Sequence, residues 1–222
     1  HTPAANNLAD MLGKGTQGMP DPDNATHNEA VSCAYCHRIE SIKPMGKSNT
    51  NVVSKKEKHY FGTLKDAVES TYHTTSSENK NFNNGNVCVG CHSHKQNKAK
   101  LNVCSTNNEN ELDGANCVSC HMPKVAGSVS NKHERKEHAF HGFPGAHSHQ
   151  DMLSQYIDIE LLKHIDNFDV AVNNKSSHAL LLHPLRVAQL RVVLERDGKK
   201  EKLKTEVFVR VIGKDGKPTP PW

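Results

Sequence analysis

The 222-residue sequence is short of the side chains that build a protein core. Hydrophobic residues make up 35% of it and aromatics 5%, with a single Trp, and its mean hydropathy is −0.71. Side chains alone would give such a chain a thin core. No stretch approaches the roughly 20 apolar residues that a bilayer-crossing helix needs, which excludes a membrane-embedded helical protein. No apolar run of the signal-peptide kind begins at His1, so the sequence reads as a soluble, already processed product. Nucleophile elbow, phosphate loop and zincin motif are all missing. No block of Lys and Arg stands out beyond the mixed run Lys132-His133-Glu134-Arg135-Lys136-Glu137, which reads as a solvated face. What the chain has in quantity is 16 His and 7 Cys.

Six of the seven cysteines fall into three copies of one pattern: Cys33-Ala34-Tyr35-Cys36-His37, Cys88-Val89-Gly90-Cys91-His92 and Cys117-Val118-Ser119-Cys120-His121. Each is the attachment signature of a c-type haem. The spacing sets two thiols a turn apart, where they can add to the two vinyl groups of one porphyrin. The next residue then places an imidazole under the iron. A zinc site or a disulfide framework also uses paired cysteines, but neither explains a His directly after every pair. The motifs therefore imply three covalently attached haem c groups, with Cys33, Cys36, Cys88, Cys91, Cys117 and Cys120 as anchors and His37, His92 and His121 as proximal ligands. Covalent attachment of this kind takes place outside the cytoplasm, so a periplasmic or extracellular location follows. The formal charge of +4 does not argue for nucleic acid or lipid as a partner, because three haems would bring roughly six propionates.

Composition divides the chain at about residue 150. Residues 1–150 hold all the Cys, most of the His and much Asn, Ser, Gly and Lys, with short apolar pieces. They read as a mostly irregular or α-helical domain packed around haem, with little strand. A short helix is expected over Thr63–Ser70 and a polar loop over Asn79–Asn86. Residues 151–222 change to β periodicity. Ile157, Ile159 and Leu161 alternate with Asp158 and Glu160, Phe168, Val170 and Val172 repeat the pattern, and Leu185–Leu194 and Val207–Val211 supply further strands. Asp197-Gly198 and Asp215-Gly216 read as turns, the first closing a hairpin. The expectation is a small antiparallel β-sandwich, too small to be very stable alone and held by docking on the haem half.

Three six-coordinate irons need three further ligands, and the supply of His far exceeds that demand. Bis-His ligation fits this excess better than His/Met ligation, for which Met45 in Lys43-Pro44-Met45 is the candidate and gap filling the alternative. Cys104 is the odd cysteine: a thiolate ligand, a redox site and an intermolecular disulfide are open to it, with an isolated structural thiol the favoured reading.

Several segments resemble the multihaem cytochrome c superfamily related to hydroxylamine oxidoreductase and its tetrahaem electron acceptor. Thr71-Tyr72-His73 ahead of Cys88 is similar to its His-then-attachment-site arrangement. Val103-Cys104-Ser105-Thr106 with Glu109, leading to Cys117-Val118-Ser119-Cys120-His121-Met122-Pro123, resembles the approach to its CHMP haem site. Glu137-His138-Ala139-Phe140-His141-Gly142 resembles the HxFxG stretch that follows. Asn173 or Asn174 with Ser177-His178-Ala179-Leu180 is similar to a segment opening a C-terminal β domain, with Ser177 and Leu181-Leu182-His183 where the family has Gly and Pro-Thr-Gly. The likeness runs over residues 27 to about 200. It implies His73, His138 and His178 as distal ligands, with His59 and His27 in reserve. His94, His133, His141, His147, His149, His164 and His183 are left as exposed, propionate-binding or supporting residues. His1 belongs to a frayed terminus or serves a haem in another subunit.

The expected function is electron transfer along closely packed bis-His haems between redox proteins or other cytochrome subunits. The residues tune potentials and perform no bond chemistry. Two alternatives stand beside it: a repeating subunit of a conductive filament or larger oxidoreductase complex, in which the chain is a homo-oligomer, and a reductase or oxidase of a small nitrogen or sulfur compound acting at an open iron.

Overall fold

A computed structural model describes residues 21–67, 70–96, 100–106, 115–145, 148–182 and 186–210. His1, His147, His183, Glu109, Val211 and the Asp215-Gly216 turn lie outside the described residues, as do the side chains of His94 and Cys104. Among the described residues no helix is long and apolar enough to cross a membrane.

Up to residue 145 the backbone is a succession of one-turn helices and short strand pairs. Helix α1 (Ala25–Asn28) precedes α2 (Cys33–His37), and the chain then folds β1 (Ile39–Lys43) back on β2 (Thr50–Val53) as an antiparallel pair. Strands β3 (His59–Phe61) and β4 (Thr74–Ser76) run parallel. After α3 (Lys80–Asn83), a 3₁₀ turn over Asn86–Cys88 runs into α4 (Val89–His92). Antiparallel pairs β5 (His94–Gln96) with β6 (Asn102–Ser105) and β7 (Lys124–Ala126) with β8 (Glu137–Ala139) flank α5 (Cys117–His121). This half thus contains more strand than its composition suggests. The strands are only three to five residues long, below the length at which alternation is legible in a sequence. Residues 63–67 form a turn in place of the expected helix. The Asn-rich segment, by contrast, nucleates α3, because the Asn79 side chain accepts from the Asn81 N–H at the helix start.

The core is as thin as the composition implies. Among the described residues, Ile39 and Phe61 are the buried hydrophobic side chains. Phe82 joins them, its ring 6.4 Å from that of Phe61 and 5.5 Å from that of His37.

Helix α6 (Gln150–Tyr156) leads directly into β9 (Ile157–Lys163), which pairs antiparallel with β10 (Phe168–Asn174). The longer strands β11 (Val187–Arg196) and β12 (Lys199–Val209) form a second hairpin. Its two-residue turn is Asp197-Gly198, both in the left-handed region at φ +52° and +74°, which suits the twist of the strands it joins. Each hairpin is a separate two-stranded sheet.

Two further glycines take positive φ, one at a close approach of elements and one in open space. Gly85 takes φ +75°, and a Cβ there would lie 2.7 Å from Oδ1 of Asn116, the oxygen that caps α5. Gly127 takes φ +98° with open space around its missing Cβ. Gly85→Ala is therefore expected to cost about 1–3 kcal/mol, and Gly127→Ala only the backbone part, about 1–2 kcal/mol. Thermal unfolding followed by circular dichroism measures both. Equal losses would show that Asn116 yields to the new methyl group at no cost.

Candidate metal and cofactor centre

Each Cys-x-x-Cys-His segment occupies one helical turn, so its two thiols, three residues apart, share a face. The three turns are started differently. Ser32 Oγ accepts from the Tyr35 N–H at 3.2 Å to cap α2. Asn116 and Ser119 cap α5 reciprocally: Asn116 Oδ1 accepts from Val118 and Ser119 N–H, and Ser119 Oγ from the Asn116 N–H. Helix α4 has no side-chain cap and instead follows the left-handed residue Gly85 through the 3₁₀ turn.

The three turns interlock. Asn49 Nδ2 donates to the Val89 carbonyl at 3.0 Å. Asn51 Nδ2 reaches both the Tyr35 hydroxyl of the first motif, at 3.4 Å, and Cys91 Sγ of the second, at 3.3 Å. Asn51 fits there because residue 90 is glycine: a Cβ would come within 1.6 Å of its Oδ1. The second and third motifs meet through Gly85 against Asn116 and through the neighbouring Cys88 and Cys117 thiols. The interaction between the two thiols holds Cys117 down and pushes Cys88 up, with burial adding to the rise. Burial pushes the Cys36 thiol up as well, assisted by Cys91 and Cys33. Burial also lowers the His92 imidazole, and the nearby charges of His121 and Lys95 act in the same direction.

The orientation of the imidazoles is set by backbone carbonyls. His37 Nδ1 lies 2.6 Å from the Phe61 carbonyl and His121 Nδ1 2.8 Å from that of Pro144. His141 Nδ1 is 2.9 Å from the Ala139 carbonyl and His178 Nδ1 2.9 Å from that of Ala179. A carbonyl only accepts, so in all four rings Nδ1 carries the hydrogen and Nε2 keeps its lone pair. These four rings form two pairs. His37 and His141 have centroids 6.1 Å apart with planes 31° apart, and His121 and His178 have centroids 6.2 Å apart with planes 14° apart. A metal-bound imidazole nitrogen lies about 2.0 Å from the metal and roughly 1.1 Å from its own ring centroid, so two imidazoles trans on one metal have centroids roughly 6.2 Å apart. Both pairs therefore have the spacing of axial ligands. Among the described residues no three His, Cys, Asp or Glu side chains converge to hold a bare ion. Two imidazoles beside a pair of thiols suit a flat group that brings its own equatorial donors.

The other expected ligands sit elsewhere. His138 lies on β8 with Nδ1 2.8 Å from the Gly127 carbonyl, which sets the same tautomer. His59 Nδ1 is 2.8 Å from Thr74 Oγ1, a group that donates or accepts, and the exposed His73 packs edge-on against Tyr60, centroids 5.4 Å apart. His27 is buried, and its Nδ1 accepts from the Asp21 N–H at 2.9 Å, which puts the hydrogen of a neutral ring on Nε2. Met45 Sδ accepts from Thr50 Oγ1 at 3.2 Å. His141, grouped by sequence with the exposed and supporting residues, stands opposite His37. Its position relative to the first attachment site comes from the β7–β8 pair and has no signature in the local sequence.

Comparison with known proteins gives one likeness in fold. No family model matches the sequence, and no curated protein does. A solved structure that matches is a penta-haem cytochrome c552 from Thermochromatium tepidum, with a TM-score of 0.65 and 19% sequence identity. The match covers 96% of this chain and 64% of that one, so the chain spans about 64% of the length of the cytochrome it resembles.

Proposed function

We propose that the chain is an electron-transfer cytochrome that carries three haem c groups, anchored by Cys33 and Cys36, by Cys88 and Cys91, and by Cys117 and Cys120. The observation that carries this reading is the presence of two imidazole pairs at trans-ligand spacing, each including the His of an attachment motif. His37 and His141 would hold one iron and His121 and His178 another. The sixth position at His92 falls to one of His59, His73, His138 and His27. The fold shared with a penta-haem cytochrome c supports the same reading. Bound haem would supply one-electron chemistry at iron, with His37 and His141 and with His121 and His178 as the residues that would hold it.

The chain's own residues hold and orient. Carbonyls of Phe61, Pro144, Ala139 and Ala179 fix the imidazole planes and raise the basicity of the ligating nitrogens. The Asn51 bridge and the close approach of Gly85 to Asn116 bring the three attachment sites together, a compactness that suits electron passage between neighbouring groups. Redox proteins or other cytochrome subunits are the partners this reading requires, and the periplasm or cell exterior is the compartment in which such attachment occurs. We place the boundary between the haem-packed part and the β part at about residue 150. A repeating subunit of a filament or larger complex is the second reading, favoured by the apolar strand faces that the two hairpins expose.

Protein purified from a host able to attach haem c should keep its pigment when denatured, with a mass raised by three haems. Release of haem into acidified organic solvent would overturn the covalent reading. His141→Ala and His178→Ala should each convert one haem from low to high spin in the EPR spectrum of the oxidised protein, and each should bind carbon monoxide once reduced. Unchanged low-spin spectra in both variants would return the distal positions to His59, His73, His138 and His27.

A further inference from the structure

In two of the three attachment motifs a side chain from a distant part of the chain reaches the sulfur of the second cysteine, the one directly before the His. Asn51 Nδ2, on β2, lies 3.3 Å from Cys91 Sγ. Tyr156 Oη, at the end of α6, lies 3.4 Å from Cys120 Sγ. The contacts span 40 and 36 positions of sequence, so each is made by the fold and not by the motif. Among the described residues no such donor reaches Cys33 or Cys36 of the first motif.

Attachment would fix the direction of both bonds. A free thiol donates or accepts, but a sulfur that has added to a vinyl carbon has no hydrogen left and only accepts, weakly. The Tyr156 phenol must then donate to Cys120. At Cys91 the amide must present its nitrogen, since its oxygen would set one acceptor against another. The surroundings of Asn51 agree with that orientation: Nδ2 also reaches the Tyr35 hydroxyl at 3.4 Å, while Oδ1 is buried over Gly90 with no hydrogen-bond partner among the described residues. An orphaned buried oxygen is destabilising, and the arrangement that orphans it aims the two amide hydrogens at two motifs. Tyr156 is held independently of the sulfur, because its carbonyl accepts from the Lys175 N–H at 2.8 Å.

We propose that Asn51 and Tyr156 raise the reduction potentials of the second and third haems by donating to the thioether sulfurs of Cys91 and Cys120. A donor on a sulfur at the porphyrin edge draws electron density from the macrocycle and so stabilises the iron that holds the extra electron. Both side chains act through a cysteine, which makes them positioning residues with an electrostatic effect. The first haem, with no such donor among the described residues, is set apart from the other two. The inference rests on the three-haem reading and adds to it the side chains that distinguish haems whose proximal ligands are alike.

Spectroelectrochemical titration of the holoprotein reads the potentials, and the mass of the denatured protein counts the haems. Tyr156→Phe keeps the ring and removes only the hydroxyl, and Asn51→Leu keeps the volume and removes the donor. Each variant should retain three covalent haems and their low-spin EPR signals. Each should lower one potential, so that the reduced-to-oxidised ratio of that haem at the parent's midpoint falls about threefold. The double variant should lower two potentials and leave the third in place. A parent without three covalent haems overturns the three-haem reading and this inference with it. Three covalent low-spin haems with every potential unmoved in both variants overturn this inference alone. A general fall of all three potentials would overturn it as well, by showing a loosened fold. Loss of a haem or of a low-spin signal in Asn51→Leu would overturn the role given to Asn51 and leave it a structural tie between motifs, while Tyr156→Phe decides Tyr156 by itself.

Discussion

The arrangement depends on a hydrogen bond that holds a ring edge-on to a backbone carbonyl. In a chain whose buried hydrophobic side chains, among the described residues, are Ile39 and Phe61, hydrophobic packing cannot position a set of imidazoles to within a fraction of an ångström. Carbonyls do so instead. Phe61 contributes on both accounts: its side chain is part of the small core and its carbonyl receives His37 Nδ1. The short parallel pair β3–β4 that carries Phe61 is therefore bound to the first attachment site, although it lies well beyond it in the chain. The same holds for Pro144 and His121, and for Ala139 at the end of β8, whose carbonyl fixes His141. Each bond chooses the tautomer as well as the angle, and only that tautomer leaves Nε2 free to bind a metal.

Asparagines do the work between motifs that apolar contacts do in an ordinary core. Asn49 and Asn51 on or beside β2 tie the second motif to the first, and Asn116 both caps the third motif and fills the space above Gly85. Such a scaffold is short of dispersion contacts and rich in directional bonds, so it specifies position well while contributing modest stability on its own. A large flat apolar group on each pair of thiols would contribute the missing burial. The thin core and the proposed haem content are thus two sides of one composition.

Much of this was legible in the sequence, and for identifiable reasons. The attachment motifs are local, so five consecutive residues carry their chemistry. The Asp197-Gly198 turn is local too, and the alternation of Ile157, Ile159 and Leu161 maps directly onto one face of β9. His141 was not legible, since what brings it opposite His37 is a pairing between β7 and β8, each three residues long. The motif resemblance directs attention to His138, three residues earlier on the same segment. Whether a residue on a short strand faces an attachment site depends on a register that such a strand is too brief to reveal. The sandwich expected after residue 150 comes from counting strands, and the structure has two antiparallel hairpins there, each in its own two-stranded sheet.

The two halves meet at the third motif, and the contacts there explain how the hairpins come to project. Tyr156, the last residue of α6, places its hydroxyl 3.4 Å from Cys120 Sγ, and its carbonyl accepts from the Lys175 N–H at 2.8 Å, closing the mouth of β9–β10. Ser176, buried beside it, donates to the His178 carbonyl at 2.7 Å, while Asn174 Nδ2 donates to the same oxygen at 2.9 Å. The hairpin is therefore fixed at its open end, where His178 stands opposite His121, and free at its turn, where Ile165 is exposed. A lever held at one end keeps His178 in place only if the rest of the hairpin does not pull on it. The seven-residue strands of β9 and β10 therefore tie the exposed turn to the end at which His178 is held.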